Sequence, residues 1–404
     1  MIRFDPSEDQ SHMQRSVADF ARAILRPRRR AHERAREVSE EARRAAFMLG
    51  LGQVFLPEAL GGAGLGLTTA VLLEEELAAG DAAAGFALGG PGAFGTAVSE
   101  LGTGEQACRL LLPFALEGGH SRHGAVAWGE PRALRERAGF STVATRSGDH
   151  WVLSGGKSHV RNADRASVFL VFAQVDLASG WDGLGAFVVR RDQAGVALHP
   201  RASTLGLDAL SVGGLGLEGV VVRDEDRLLG GADFGAALLR FFAKEALLVA
   251  ARAVGLAREA FDVTREYVDT RRAFGKPIGH FQSVAFTIAD RAMDVEASRV
   301  LVHKAAAAWD GGLPENECLL STAYAVSFAL EAAMRAGDDA VQLHGGAGFM
   351  RDYPVEKLMR DAKQLQLCVM TSEQADQLAA AIELGQPLSP ALVLPTPETQ
   401  STIV

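Results

Sequence analysis

Three charged residues, Lys244, Glu245 and Arg252, lie inside a long apolar segment of the chain, "FFAKEALLVAARAVGLA" at positions 241–257. Glu245 and Arg252 are seven residues apart, so a helix would place them on nearly the same face, two turns from each other. A carboxylate among alanine and leucine side chains is suited to accept a proton from a weakly acidic C–H group. A guanidinium on the same face is suited to bind a carboxylate or another polar group of a substrate.

Both residues also have an ordinary structural interpretation. Glu245 could be a surface glutamate that pairs with Lys244 or another neighbour. Arg252 could form an ion pair with an acidic residue of an adjoining helix. The segment alone is therefore compatible with a catalytic base and a substrate-binding arginine and equally with the structural alternative.

The composition restricts the classes of function that this chain can have. Its 404 residues, 48% of them hydrophobic, predict two or three globular domains. A net charge of −9 argues against binding to nucleic acid or to an anionic membrane. Three widely spaced cysteines and an N-terminus without an apolar signal core indicate a cytoplasmic protein. No metal site is predicted, because His120 and His123 lack a third ligand and are interpreted as ordinary surface residues.

The sequence patterns change character twice along the chain and so predict three domains. Helical spacing comes first, then short β-branched segments separated by glycine, then long helical runs. The expected domains are an N-terminal helical domain (1–120), a middle β domain (121–232), a C-terminal helical bundle (233–385) and a proline-containing flexible tail (386–404).

Local signals predict the ends of several elements. Ser7, with Gln10 three residues later, is expected to cap the first helix. The helix over "TTAVLLEEELAAG" is expected to end at Gly80. Gly155 and Gly156 are interpreted as a tight turn between two antiparallel strands.

Four segments, in this order, resemble the acyl-CoA dehydrogenase family. They are "LPEALGGAGLGLTTAVLLEEELA" (56–78), "GEPRALRERAGFSTVATRSGDHWVLSGGKSHVRNADRA" (129–166), "RRAFGKPIGHFQSV" (271–284) and "DDAVQLHGGAGFMRDYPVEKLMRDAK" (338–363). The resemblance covers about residues 5–385 and implies an α+β multidomain fold. It comprises an N-terminal helical domain, a middle antiparallel β domain and a C-terminal four-helix bundle. It also implies that FAD is the cofactor and that the reaction oxidises an acyl thioester to an α,β-enoyl thioester.

The resemblance also implies which residues contact FAD. Arg271 matches the family arginine that reaches the pyrophosphate of a neighbouring subunit's flavin, and Phe274 is expected to pack on that cofactor. In the β domain, His159 and Arg161 replace family residues beside the flavin ring and are expected to donate to it. The other expected contacts are Trp128, Gly129, Gln282, Gln342, Gly345, Gly346 and Thr371.

The usual catalytic glutamate of the family is absent, because Val369 occupies its position. The Val369 backbone N–H is still expected to polarise the thioester carbonyl. A minority of the family, including isovaleryl-CoA dehydrogenase, carries the glutamate on another helix, and Glu245 matches that position. Arg252 and Arg135 are expected substrate contacts, Arg135 towards a phosphopantetheine arm.

Several alternatives remain open from the sequence. The acyl group could be carried by CoA or by an acyl carrier protein, since Ala243 and Ala246 replace two family CoA contacts. The chain could be a homodimer or homotetramer that passes electrons to an electron-transfer flavoprotein. It could instead be a degenerate subunit that lends FAD contacts to a related partner, or a flavin monooxygenase on the same fold.

Overall fold

The computed structural model describes residues 6–54, 56, 62, 64–116, 118–130, 139–231 and 233–389. Helices come first along the chain, a sheet follows, and long helices complete it. This order confirms the predicted fold class, while the domain limits given above stay predictions. No helix within these ranges combines the length and the apolar character needed to cross a membrane.

The N-terminal helices pack around a buried apolar core. The predicted cap of α1 is confirmed, because the Gln10 backbone N–H donates to Ser7 Oγ at 3.2 Å and the Ser7 N–H donates to Gln10 Oε1 at 2.9 Å. The helices are α1 (Glu8–Phe20), a π-helical turn (Ala21–Leu25), α2 (Arg26–Ala35), α3 (Glu40–Met48), α4 (Leu67–Ala87), α5 (Gly92–Leu101) and α6 (Gly104–Ala115).

The sequence predicts that helix α4 ends at Gly80, and this prediction is wrong. The helix continues to Ala87 across a break at Asp81. Asp81 has extended backbone angles (φ −163°, ψ 110°), and its carboxylate accepts a hydrogen bond from the Ala83 N–H at 3.2 Å. The side chain thus caps a second helical segment, as aspartate does at a helix N-terminus. The glycine signal marks the break and not the end of the helix.

A buried charged cluster holds the Asp81 break in place. Lys357 Nζ lies 3.2 Å from Asp81 Oδ1 and 2.5 Å from Asp361 Oδ2, and His32 Nδ1 lies 3.5 Å from Asp81 Oδ2. Burial opposes the charge of Lys357, but Asp361 and Asp81 together raise the pKa of Lys357 above its usual value. The break in α4 is therefore fixed by a helix that lies 276 residues further along the chain.

The middle domain is a single twisted sheet in the order β6-β7-β3-β2-β4-β5-β8, with β1 paired to β4. Most neighbours are antiparallel, as predicted, but β1 and β2 each pair with β4 in the parallel direction. The strands are β1 (Gly124–Ala127), β2 (Val143–Ser147), β3 (His150–Arg161), β4 (Val168–Gln174), β5 (Leu184–Arg190), β6 (Val196–His199), β7 (Val212–Arg223) and β8 (Arg227–Leu228).

The predicted turn at Gly155 and Gly156 is wrong, since both residues lie within strand β3. The register between β3 and β7 shifts between Leu153 and Gly155, which is a β-bulge. Gly155 has φ +143°, and a Cβ there would lie 2.6 Å from the Thr142 Cα, so a side chain could not be accommodated. Glycine is therefore required here because the chain forms a bulge and because two strands approach each other closely.

The C-terminal region forms the predicted helical bundle, in which α9 packs against α7, α8, α10 and α11. A Cβ on Gly255 would lie 2.1 Å from the Glu75 carbonyl oxygen, so this glycine lets α7 approach α4 closely. Residues 390–404 of the predicted tail lie outside the described residues. The elements are α7 (Phe234–Thr270), the β9–β10 hairpin (Arg272–Ala273 and Lys276–Pro277), α8 (Gln282–Asp310), α9 (Glu315–His344), α10 (Val355–Leu365) and α11 (Ser372–Glu383).

Candidate active site

A cavity of about 80 Å³ lies where the three regions of the chain meet. Residues of α4, α5, β1 and α7 line it, together with Arg161 and Asn162 at the end of β3. Its charged and polar lining side chains are Glu74, Thr96, His123, Arg161, Asn162, Glu245 and Arg252.

Glu245 is buried in this cavity, with only 4% of its surface exposed. Its Oε1 accepts a hydrogen bond from Thr96 Oγ1 at 2.7 Å, and its Oε2 lies 3.8 Å from Arg161 Nη2. The carboxylate is therefore oriented by α5, and within the described part of the chain Arg161 is the cation that neighbours it. Lys244, its neighbour in sequence, contacts Glu100 instead, so the alternative of a surface pair with Lys244 is wrong.

Arg252 lies two turns along α7 and lines the same cavity, as its spacing predicts. Its guanidinium forms a bidentate ion pair with Glu74 of α4, with N–O distances of 2.8 and 2.7 Å. The Arg252 guanidinium carbon also lies 3.8 Å from the centre of the Phe86 ring. The structural alternative for Arg252, an ion pair with an adjoining helix, is thus present. Its expected role as a substrate contact stays a prediction.

Three cavity-lining side chains each carry a buried polar atom that has no hydrogen-bond partner among the described residues. These atoms are Arg161 Nη1, His123 Nδ1 and Asn162 Oδ1. The interpretation of His123 as a surface residue is wrong, because the residue is 3% exposed. Burial lowers the pKa of His123, so the ring is neutral at pH 7. The sequence presents His123 only as half of a His-x-x-His pair without a third ligand, and it gives no separate signal for Asn162 as a site residue.

Val369 lies in the turn between α10 and α11 and has φ +65°, a conformation that is rare for a β-branched residue. Its backbone N–H donates to no acceptor among the described residues, whereas the Met370 N–H donates to the Cys368 carbonyl at 2.8 Å. Burial raises the pKa of the Cys368 thiol, and the positive charges of Arg161 and Arg252 oppose that rise.

The β-domain residues expected beside the flavin ring lie close to one another in sequence and space. Trp128 is half-buried with its ring 5.3 Å from that of Phe242, and the Gly129 carbonyl accepts from the Ser158 N–H at 2.9 Å. His159 is exposed with φ +54°. None of the three lines the cavity around Glu245.

A buried ion pair supports this part of the sheet. Lys157 Nζ lies 3.0 Å from Glu130 Oε1 and 3.5 Å from the centre of the Phe140 ring. Burial lowers the pKa of Lys157 to about 8, although Glu130 opposes this effect. Glu130 also accepts hydrogen bonds from Ser141 and Thr142, which fixes the chain after Trp128 and Gly129.

A second, open cleft of about 1010 Å³ lies between the β9–β10 hairpin and the end of α9. It brings together five of the expected FAD contacts. Phe274 is 95% exposed, and the Arg271 guanidinium forms no ion pair with a described residue. An added Cβ on Gly345 or Gly346 would meet no atom within 4 Å, so this surface is open to a ligand. The five residues are Arg271, Phe274, Gln342, Gly345 and Gly346.

The remaining expected contacts lie elsewhere. Gln282 begins α8 and does not line the cleft, although its neighbour Ser283 does. Thr371 caps α11 through a reciprocal pair of hydrogen bonds with Gln374. Arg135 lies outside the described residues. The structure therefore brings Glu245, Arg161 and Arg252 together in one cavity and five expected FAD contacts together in a separate cleft.

Comparison with known proteins assigns the class of this enzyme. Three family models match: the acyl-CoA dehydrogenase N-terminal domain over residues 7–117, the middle domain over 125–220 and the C-terminal domain over 234–380. The chain therefore belongs to the acyl-CoA dehydrogenase family, whose members are oxidoreductases that act on CH–CH bonds.

Individual relatives match over most of the chain. The probable acyl-CoA dehydrogenase FadE25 of Mycobacterium tuberculosis is 33% identical, covering 92% of this chain and 94% of that protein. The cyclohex-1-ene-1-carbonyl-CoA dehydrogenase of Geobacter metallireducens is also 33% identical, covering 91% and 96%. The structure of butyryl-CoA dehydrogenase from Megasphaera elsdenii is 29% identical with a TM-score of 0.87, covering 95% of this chain and 100% of that one.

Proposed function

We propose that this protein catalyses FAD-dependent α,β-dehydrogenation of an acyl thioester, with Glu245 as the base that removes the α-proton. One observation carries the proposal. The Glu245 carboxylate is buried in a cavity lined by residues from all three regions of the chain, and the position at which most of the family carries its base is occupied by Val369. A buried carboxylate in a cleft is a candidate functional group, because such burial is otherwise unfavourable.

The residues of this chain supply proton transfer and polarisation. When bound, FAD supplies the acceptor for the hydride that leaves the β-carbon. Glu245 is held by Thr96 with one oxygen, so the other oxygen can accept the α-proton. The Val369 N–H, which has no acceptor among the described residues, would donate to the thioester oxygen and make the α-proton more acidic.

The residues of the open cleft fit FAD. A guanidinium without an ion-pair partner among the described residues suits a pyrophosphate, an exposed ring suits a planar group, and glycines allow the backbone to approach phosphates. Phe274 is 95% exposed, so its ring is free to contact the cofactor of a second subunit, as the family resemblance implies. This favours a homo-oligomer in which each FAD is shared between two copies.

The acyl carrier and the electron acceptor belong to the proposal as well. CoA is the carrier suggested by the names of the relatives, such as butyryl-CoA dehydrogenase. An acyl carrier protein remains the alternative carrier, with Arg135 as its expected contact. The proposed acceptor is an electron-transfer flavoprotein, a type of protein that is named for one structural neighbour, from Acidaminococcus fermentans.

The visible spectrum of the purified protein tests the proposal. A flavin spectrum that bleaches anaerobically on addition of an acyl thioester supports it. A colourless protein that co-purifies with a related chain would favour the degenerate-subunit alternative. A flavin that is reduced only by a separate reductase, with oxygen uptake, would favour a monooxygenase.

Arg271→Met tests the cleft by a readout other than turnover. Loss of one charge-assisted hydrogen bond of about 1.5–3 kcal/mol would weaken FAD binding roughly 10- to 150-fold. Arg22→Met is the matched control, because Arg22 is exposed and forms an ion pair, at 3.5 Å, with the equally exposed Asp19 three residues earlier. Unchanged FAD retention in the Arg271 variant would remove this residue from the cofactor site.

A further inference from the structure

We propose that the acyl group carries a carboxylate and that Arg161 is the residue that recognises it. The inference rests on the proposed function, since it names the substrate class of the cavity around Glu245. It starts from the lining of that cavity. A saturated hydrocarbon chain needs apolar surroundings, but here two arginines, two carboxylates, a histidine and an asparagine line about 80 Å³ of space.

The unpaired atoms give the first argument. Arg161 Nη1, His123 Nδ1 and Asn162 Oδ1 are buried and have no hydrogen-bond partner among the described residues. A buried donor without an acceptor is unfavourable, so such atoms imply a ligand or ordered water at the site. An alkyl group could not pair with the guanidinium, whereas a carboxylate could accept a hydrogen bond from Arg161 Nη1. The other two atoms are acceptors, since the neutral His123 ring directs its Nε2–H to the Ala87 carbonyl at 3.4 Å, and they do not contribute to this pairing.

The two arginines differ in how fully they are paired. Two nitrogens of the Arg252 guanidinium donate to the two carboxylate oxygens of Glu74, so this ion pair has no net charge. The guanidinium of the pair lies against the Phe86 ring. Among the described residues Arg161 has only Glu245, at 3.8 Å, which is longer than the roughly 2.7–2.9 Å of a charge-assisted hydrogen bond. Arg161 is therefore the cation of this cavity with donors still available.

Phe86 keeps the Arg161 side chain in position for this role. Its ring centre lies 5.0 Å from the Arg161 guanidinium carbon and 3.8 Å from that of Arg252. Both cations thus contact the same ring, and repulsion between them favours an anion beside the one that is incompletely paired. This anion would also draw Arg161 away from Glu245, which would leave the base free to accept the α-proton.

The position of Arg161 limits the length of the acyl group. Since Arg161 approaches the base itself, the carboxylate must lie only a few bonds from the α-carbon. The predicted substrates are therefore four- and five-carbon dicarboxylic acyl thioesters.

Equilibrium binding of two inert analogues to the FAD-loaded protein tests the inference. (Carboxymethylthio)acetyl-CoA and (ethylthio)acetyl-CoA have the same chain length and differ only in the terminal carboxylate. Sulfur replaces the β-carbon in both, so neither can be dehydrogenated. Calorimetry should show at least about tenfold tighter binding of the carboxylate analogue to the wild type, as expected for a charge-assisted hydrogen bond.

Variants then assign that preference to Arg161. Arg161→Met should reduce the binding ratio to within about twofold, and Arg161→Lys should retain an intermediate preference because it keeps the charge. Arg165→Met is the matched control: Arg165 lies four residues away, pairs with Glu37 at the surface and does not line the cavity. It should leave the ratio unchanged.

The outcomes separate this inference from the proposed function. Equal binding of the two analogues to the wild type, or an unchanged ratio in Arg161→Met, would overturn the inference. Bleaching of the flavin by butyryl-CoA but not by succinyl- or glutaryl-CoA would also overturn it, while leaving the dehydrogenase function in place. If no acyl thioester bleaches the flavin and neither analogue binds, both proposals fail. The comparison in the wild type holds even if a variant does not fold.

Discussion

Replacing Glu245 with glutamine is the most direct perturbation of the proposed chemistry. Glutamine has nearly the same shape as glutamate, and its amide oxygen can still accept the hydrogen bond from Thr96 that Glu245 accepts at 2.7 Å. It cannot take up the α-proton of a thioester. The substitution therefore removes the base while leaving the packing of α7 against α5 largely intact.

The structure gives different magnitudes for activity and for stability. Loss of a general base lowers the rate by about 10²- to 10⁴-fold. The only ion pair lost among the described residues is the one with Arg161. Its separation of 3.8 Å is too long for a charge-assisted hydrogen bond, so we expect it to contribute roughly 0–1 kcal/mol to folding. Glu245→Gln should thus lose nearly all turnover while its free energy of unfolding falls by no more than about 1 kcal/mol.

Anaerobic stopped-flow bleaching of the bound flavin by an acyl thioester measures this step directly. Thermal unfolding and the flavin content of each preparation provide the stability and cofactor controls. A matched control is Glu100→Gln, which changes a glutamate that pairs with Lys244 and does not line the cavity. The control should bleach at the wild-type rate.

A second variant tests whether the base can be supplied from the usual family position. Glu245→Ala combined with Val369→Glu moves the carboxylate to the turn between α10 and α11 and should recover part of the rate. Wild-type bleaching by Glu245→Gln, or equal loss of flavin and activity in that variant, would refute the assignment of Glu245 as the base.

The remaining predictions concern the surroundings of the site. Burial lowers the pKa of His123 below the value it has in the unfolded chain, about 6.5. As the pH falls below that value the unfolded state binds the proton more readily, so the folded state loses stability. His123→Leu should therefore flatten the dependence of Tm on pH in that range. Lys157→Met leaves Glu130 buried without its cation and should lower the free energy of unfolding by about 3–5 kcal/mol in denaturant titrations, whereas an unchanged midpoint would contradict the buried pair. Asp310 accepts from the first two N–H groups of α4, at 2.8 and 2.7 Å, and Asp310→Ala should cost about 1 kcal/mol with turnover retained, as read from Tm and flavin bleaching.

The sequence predicts the order of elements well because the patterns are long. Thirty-seven residues at helical spacing define α7 almost without ambiguity, and Ser7 with Gln10 marks the start of α1. Glycine is less informative, since it serves several backbone geometries. Gly80 resembles the end of a helix in the sequence but lies one residue before a break in α4. Gly155 resembles a turn between strands but lies in a β-bulge.

The site is predictable only where spacing along one element places residues together. Glu245 and Arg252 are two turns apart on α7, and both reach the cavity as expected. His123 and Asn162 reach it from different strand ends, so no local spacing relates them to Glu245. The pairing of Arg252 with Glu74 is likewise invisible in the sequence, because it joins residues 178 positions apart.

The break in α4 allows residues outside the cavity to influence which substrates the protein accepts. The segment after Asp81 carries Gly85 and Phe86 into the cavity, and its direction depends on the buried contact between Asp81 and Lys357. A natural variant at position 357 would therefore tilt that segment and reposition the ring on which both arginines rest. Homologues that differ at this remote lysine should consequently differ in which thioesters they accept, even when every residue lining the cavity is identical.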